Sequence, residues 1–130
     1  MTDAHQFAAI LIIGISLAVL AAAAWSWFAA RRSAGAGDHR FAVDRLVLLA
    51  EVGIAAEVMV GGLLLVSDQR PTDTLHVLYA AIAIVTLPIG WWIGGRPGPG
   101  GRVSRPRRDA WLTLASLVLL GVEARLVMTG

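Results

Sequence analysis

The sequence has no cysteine and no lysine. Without cysteine, disulfides, thiolate metal sites, iron–sulfur ligation and thiol catalysis are all excluded. Without lysine, Schiff-base chemistry and lysine nucleophiles are excluded as well. Charge is sparse, at 15% of the 130 residues, and all eleven basic residues are arginine. A folded polar surface large enough to read nucleic acid has no room in such a chain. The pI near 10.4 reflects arginine gathered in loops.

What is abundant is apolar sequence. Hydrophobic residues make up 57% of the chain, against about 45–50% in an ordinary soluble domain. Mean hydropathy is +0.70. The excess falls in four blocks, from Phe7 to Ala30, Leu46 to Val66, Leu75 to Ile93 and Ala110 to Met128. Each block holds roughly 19–24 residues, and about 20 are needed to cross a hydrocarbon core. Only helices or a closed barrel satisfy their own backbone in lipid, and no block alternates with a period of two. The expected fold class is therefore all-α, a polytopic bundle of four transmembrane helices forming one membrane domain over residues 1–130. The first block is read as a retained helix and not a cleaved leader. Its preceding residues carry Asp3 and no arginine, and its apolar run exceeds the usual 7–15 residues of a leader.

The loops give an orientation. Residues 31–45 hold Arg31, Arg32, Arg40 and Arg45, and residues 96–108 hold Arg96, Arg102, Arg105, Arg107 and Arg108. The loop Ser67–Thr74 holds only Arg70, beside Asp68 and Asp73. This bias predicts that the two arginine-rich loops are cytoplasmic and that both termini are extracytoplasmic, in the cell (inner) membrane. Trp25, Trp27, Trp91, Trp92 and Trp111 then fall at the cytoplasmic interface, where amphipathic rings anchor helices. Pro and Gly in RPGPGGRVSRPRR break any helix there, and its charge suits anionic lipid or a partner's acidic surface. Asp38 or Asp44 is placed to cap the second helix.

Ionisable side chains inside the spans carry the functional expectation. A charge at a helix centre costs at least about 2.5–3.5 kcal/mol, so each needs a partner, water or a task. With a rise of about 1.5 Å per residue, Glu51 lies about 8 Å and Glu57 about 16 Å beyond Leu46. His76 and Tyr79 open the third span, and Glu123 and Arg125 lie in the outer half of the fourth. The recurrence of Gly53, Glu57 and Gly61 at intervals of four makes a stripe of small residues around a carboxyl, which turns Glu57 toward protein and invites a neighbouring helix. Glu123 and Arg125 are two apart and point away from each other. Glu57, His76, Tyr79, Glu123 and Arg125 are thus the candidate ligand- or proton-binding set, converging on an outward-facing polar pocket. His5 and His76 share a side and are the candidate pair for haem or a divalent metal. Each has a plainer role available: interhelical hydrogen bonding for Glu57, capping for His76, anchoring for Tyr79, an ion pair for Glu123 and snorkelling for Arg125. Ser16, Ser26 and Ser116 have no base near them in sequence.

The stretch LHVLYA, a following LP, an arginine-rich loop and the ending EARLVMTG resemble small, uncharacterised four-span bacterial membrane proteins. The resemblance covers about the second half of the chain and implies no activity. AEVMVGGLLL, Ala56–Leu65, is similar to a Glu- and Gly-Gly-bearing helix of the DoxX-type membrane proteins, whose first-helix Gly and Lys are missing here. Small multidrug transporters share four short spans, but their essential Glu is in the first helix, which has no acid here. The expectation is a non-enzymatic accessory or binding subunit, in a homo-oligomer or with a membrane partner. A proton-coupled small-molecule transporter and a haem-binding or redox-associated subunit are the alternatives.

Overall fold

The computed structural model describes residues 3–32, 40–66 and 75–129. They form four helices, α1 Asp3–Arg32, α2 Arg40–Val66, α3 Leu75–Gly94 and α4 Arg105–Thr129. No strand occurs among the described residues. All four helices are long and apolar enough to cross a membrane, so the chain is a multi-pass, all-α bundle. The helices make a closed ring, with α1 beside α2, α2 beside α3, α3 beside α4 and α4 beside α1. The seams of α4 with α1 and α3 are the most extensive, and that of α2 with α3 is the slightest.

The helices outrun the apolar blocks mainly at the arginine-rich end. α1 continues to Arg32, α2 begins at Arg40 instead of Leu46, and α4 begins at Arg105 instead of Ala110. Hydropathy marks only the lipid-spanning part, whereas charged residues with good helix propensity carry the coil beyond it. The expected helix-free stretch therefore ends at Ser104. The carbonyl of Ser104 accepts from the Arg108 N–H at 3.1 Å, and Pro106 sits in the first turn, where a missing N–H costs nothing. Before it, Gly98–Gly101 forms a turn closed by Gly101 N–H to the Gly98 carbonyl at 3.0 Å. Pro99 precedes Gly100, whose φ of 104° suits the third position of a type II turn.

The tightest helix approach is not on the Gly53–Gly61 stripe. A Cβ added at Gly53 would meet only Ile12, at an ordinary 3.4 Å, and one at Gly61 would meet nothing within 4 Å. The close approach is made by Gly90 and Gly94 of α3 against α4. A Cβ at Gly90 would lie 2.6 Å from the Ala115 Cβ, and one at Gly94 would lie 2.8 Å from the Arg108 Cα. Small residues let the two backbones meet where lipid supplies no hydrophobic drive for association. Leu87, Leu112 and Leu119 fill the core beside this seam and are fully buried.

Candidate functional site

Two buried polar tiers cross the bundle, and each joins a serine of α1 to a carboxyl of α4. At the arginine-rich end, Ser26 Oγ donates to Asp109 Oδ2 at 2.7 Å. Arg105 Nη2 donates to Ser26 Oγ at 3.4 Å, and Arg105 Nε lies 3.9 Å from Asp109 Oδ2. Ser26 and Asp109 are buried. Beside them Arg108 forms an ion pair with Asp44 of α2. The Arg108 side chain is 7% exposed and that of Asp44 is 41% exposed, so Asp44 brings this tier to the surface. Asp44 is therefore not a cap for α2. It lies one turn inside the helix and ties α2 to α4.

Arginine also covers tryptophan at this end. The guanidinium carbons of Arg31, Arg96 and Arg108 lie 4.4, 3.8 and 5.7 Å from the ring centroids of Trp27, Trp92 and Trp91. Such cation–π contacts steady an arginine near the membrane surface.

The second tier lies deeper in the bundle, toward the other end. Ser16 Oγ donates to Glu123 Oε1 at 2.7 Å. Glu123 is 5% exposed and Ser16 fully buried. The second oxygen, Oε2, is buried without a hydrogen-bond partner among the described residues. Glu57 of α2 is near enough to act on Glu123 electrostatically. A carboxyl of α4 and a hydroxyl of α1 thus meet inside the apolar core, with part-buried Glu57 of α2 at about the same height. A charge on either carboxyl is costly there, and like charges on both add to the cost.

Of the five residues expected to converge, Glu123 is held in the buried tier by Ser16, and Glu57 lies at about its height on α2. Arg125 is exposed, two residues from buried Glu123 and so on the opposite face of α4, as the spacing predicts. The α3–α4 register set by Gly94 and Gly90 puts Tyr79 at about the height of Glu123, and His76 about one turn beyond. Both are half-buried. The side chain of His5 lies outside the described residues, as does Asp38. Among the described residues, no group of three or more His, Asp or Glu is placed to hold a metal ion.

Three residues of this framework carry no signal in the local sequence. Ser16 and Ser26 look baseless in sequence, yet each meets a carboxyl, 107 and 83 residues away respectively. Asp109 lies just before the fourth apolar block and reads as loop. A usable signal does exist on α4, since Asp109, Ser116 and Glu123 recur every seven residues and so share one face. All three are buried. Comparison of the chain with protein-family models, curated proteins and solved structures gives no match.

Proposed function

We propose that the bundle is a non-enzymatic membrane binding subunit whose bound species is a proton, held by the Glu57–Glu123 carboxyl pair. One observation carries the reading. Glu123 is buried in the core with one oxygen held by Ser16 and the other without a hydrogen-bond partner among the described residues, and Glu57 of α2 lies at about the same height. A proton shared across the pair removes the repulsion and cuts the charge held in lipid.

Infrared difference spectroscopy of the protein in liposomes tests this. A protonated-carboxyl stretching band should be present at neutral pH and should titrate on alkalinisation. Glu123→Gln and Glu57→Gln should each remove or shift it. A spectrum without such a band, or one unchanged by both substitutions, overturns the reading.

In this reading the arginine-rich end faces the cytoplasm and the carboxyl tier lies toward the outer leaflet. The distribution of arginine supports that orientation. Because the chain has no cysteine, single cysteines placed at Gly98 and at Thr72 can be labelled from one side at a time. Labelling of position 98 from outside would reverse the orientation. A second copy or a membrane partner fits against α2, where Met59, Val60 and Leu63 are exposed and Gly61 and Gly62 have nothing within 4 Å. Crosslinking in native membranes should give a defined larger species, and a monomer alone would refute the association.

A further inference from the structure

We propose that the arginine-rich end of α3, with the loop that follows it, binds an anionic phospholipid of the membrane that the bundle spans. The lipid phosphate is held by Arg96, with Arg102 beside it on the returning limb of the loop. An acyl chain runs down the outer face of α3 past Trp92. The proposal is independent of the proton-binding reading.

Two faces of α3 differ. Ala83, Leu87, Gly90 and Gly94 form its buried stripe, and Gly90 and Gly94 press against α4. Val85, Ile89 and Trp92 repeat the same spacing two residues later, so they point away from α4. All three are exposed. Arg96 is the next position on this outer stripe. The chain keeps turning to place it there, because Gly95 N–H donates to the Trp91 carbonyl at 2.9 Å and Arg96 N–H to the Ile93 carbonyl at 3.4 Å. The Arg96 guanidinium carbon lies 3.8 Å from the Trp92 ring centroid. One outer stripe thus carries, in order, two branched aliphatic side chains, an indole and a guanidinium. Val85 to Trp92 covers about 10 Å along the helix, and Arg96 lies about 6 Å farther. That order matches a phospholipid read from its chains to its phosphate, with the indole at the interface it favours.

The loop brings further charge to the same corner. Gly98 N–H donates to the Arg102 carbonyl at 3.1 Å, so Arg102 returns opposite Gly98, on the limb facing Arg96. Arg96, Arg102 and Arg107 are exposed, and residues 96–108 hold five arginines and no acid. Among the described residues, the two acids at this end are already engaged. Asp44 pairs with Arg108, and Asp109 accepts from Ser26 and lies near Arg105.

The complementary partner is therefore anionic, and the bilayer supplies it. Four membrane-spanning helices hold this end at headgroup depth, where anionic lipid attracts such basic segments. A guanidinium laid on an indole is steadied there and keeps its edge of N–H donors for phosphate oxygens, two at a time. An acidic protein or a free phosphate would match the charge alone. The aligned apolar stripe is what favours a lipid.

The test is quenching of Trp92 fluorescence by brominated phospholipids in mixed bilayers. The full-length protein keeps Trp92 and carries phenylalanine at its other four tryptophan positions. Native mass spectrometry of the unsubstituted protein makes the same lipid comparison without any tryptophan change. Phosphatidylglycerol should be preferred over phosphatidylcholine at least about fivefold, the factor for one arginine near the headgroups. Arg96→Gln with Arg102→Gln should abolish the preference. Arg96→Lys should keep only part of it, because an ammonium retains the charge and lacks the fork. Arg32→Gln, on α1 and not in contact with α3, should leave it unchanged. Excess inorganic phosphate should not compete. No preference in the wild type overturns the site, as does a preference that survives the double substitution. Full preference in Arg96→Lys overturns the role of the guanidinium. Equal loss in Arg32→Gln overturns the site in favour of diffuse charge around the bundle, and loss to inorganic phosphate makes the occupant a free anion and overturns the lipid.

Discussion

Replacing Gly90 by alanine should unlock the best-packed seam of the bundle. The new Cβ would stand 2.6 Å from the Ala115 Cβ and 3.2 Å from the Trp111 carbonyl oxygen. Carbon atoms rest about 3.5–4.0 Å apart, so the two helices must separate by about 1 Å. Backbone on one side and a Cβ on the other leave no flexible end to swing aside. Overpacking of this kind costs about 1–3 kcal/mol. Gly94→Ala is as severe, with Arg108 Cα at 2.8 Å and its carbonyl oxygen at 3.1 Å. It should also disturb the Arg108–Asp44 pair by moving the Arg108 backbone. The controls are Gly14→Ala and Gly61→Ala, where nothing lies within 4 Å. There the gain in chain stiffness should leave stability unchanged or up by as much as about 1 kcal/mol. Unfolding in mixed micelles, followed by tryptophan fluorescence, reads the difference directly, since Trp91, Trp92 and Trp111 flank the seam. Should Gly90→Ala prove no less stable than Gly61→Ala, the α3–α4 packing described above is wrong.

The remaining perturbations concern the polar tiers. Ser26→Ala removes the hydroxyl that donates to buried Asp109 and should cost about 1.5–3 kcal/mol, as for hydrogen bonds to charged groups. Ser26→Thr should recover part of this in the same unfolding assay. Asp44→Ala takes the carboxylate from a guanidinium that is 7% exposed. Its cost should be about 1–3 kcal/mol, below the 3–5 of a fully buried pair because Asp44 sees solvent. A double-mutant cycle of Asp44→Ala with Arg108→Ala should show a coupling of at least about 0.5 kcal/mol, and strict additivity would deny the pair any energetic role.

Four helices could be read from block length alone, because lipid enforces both the length and the apolar composition of a span. The helix ends could not. Arg40–Arg45 and Arg105–Asp109 continue their helices past the membrane boundary, where hydropathy stops reporting. The two glycine stripes show why contacts are harder still. Gly53, Glu57 and Gly61 recur at intervals of four and Gly90 and Gly94 are also four apart, and nothing local says which face meets a neighbour. That depends on the rotation of each helix, which is fixed by the whole ring. The same holds for Ser16 and Ser26, whose partners lie across the fold. The acids were visible because charge is rare in a span. Their hydroxyl partner was not visible, because serine is common in helical membrane segments and says nothing alone.

The acids of the bundle differ in how well the protein satisfies them, and that difference predicts their stability effects. Asp109 receives Ser26 and lies near Arg105. Asp44 has Arg108. Glu123 has Ser16 on one oxygen only. Glu51 has one buried oxygen with no hydrogen-bond partner among the described residues. A residue kept for structure loses stability when replaced, whereas one kept for function at a structural cost gives stability back. Glu51→Leu should therefore unfold at a higher temperature than wild type, by an amount equivalent to about 1–2 kcal/mol, because a part-buried carboxyl with one unsatisfied oxygen leaves an apolar span. Asp109→Leu should do the opposite, since it removes the acceptor of the buried Ser26 hydroxyl. Thermal unfolding of both variants in one detergent settles the order. A Glu51→Leu protein less stable than wild type by more than about 1 kcal/mol would mean that Glu51 is held by a structural interaction, and the argument from its isolation would fail.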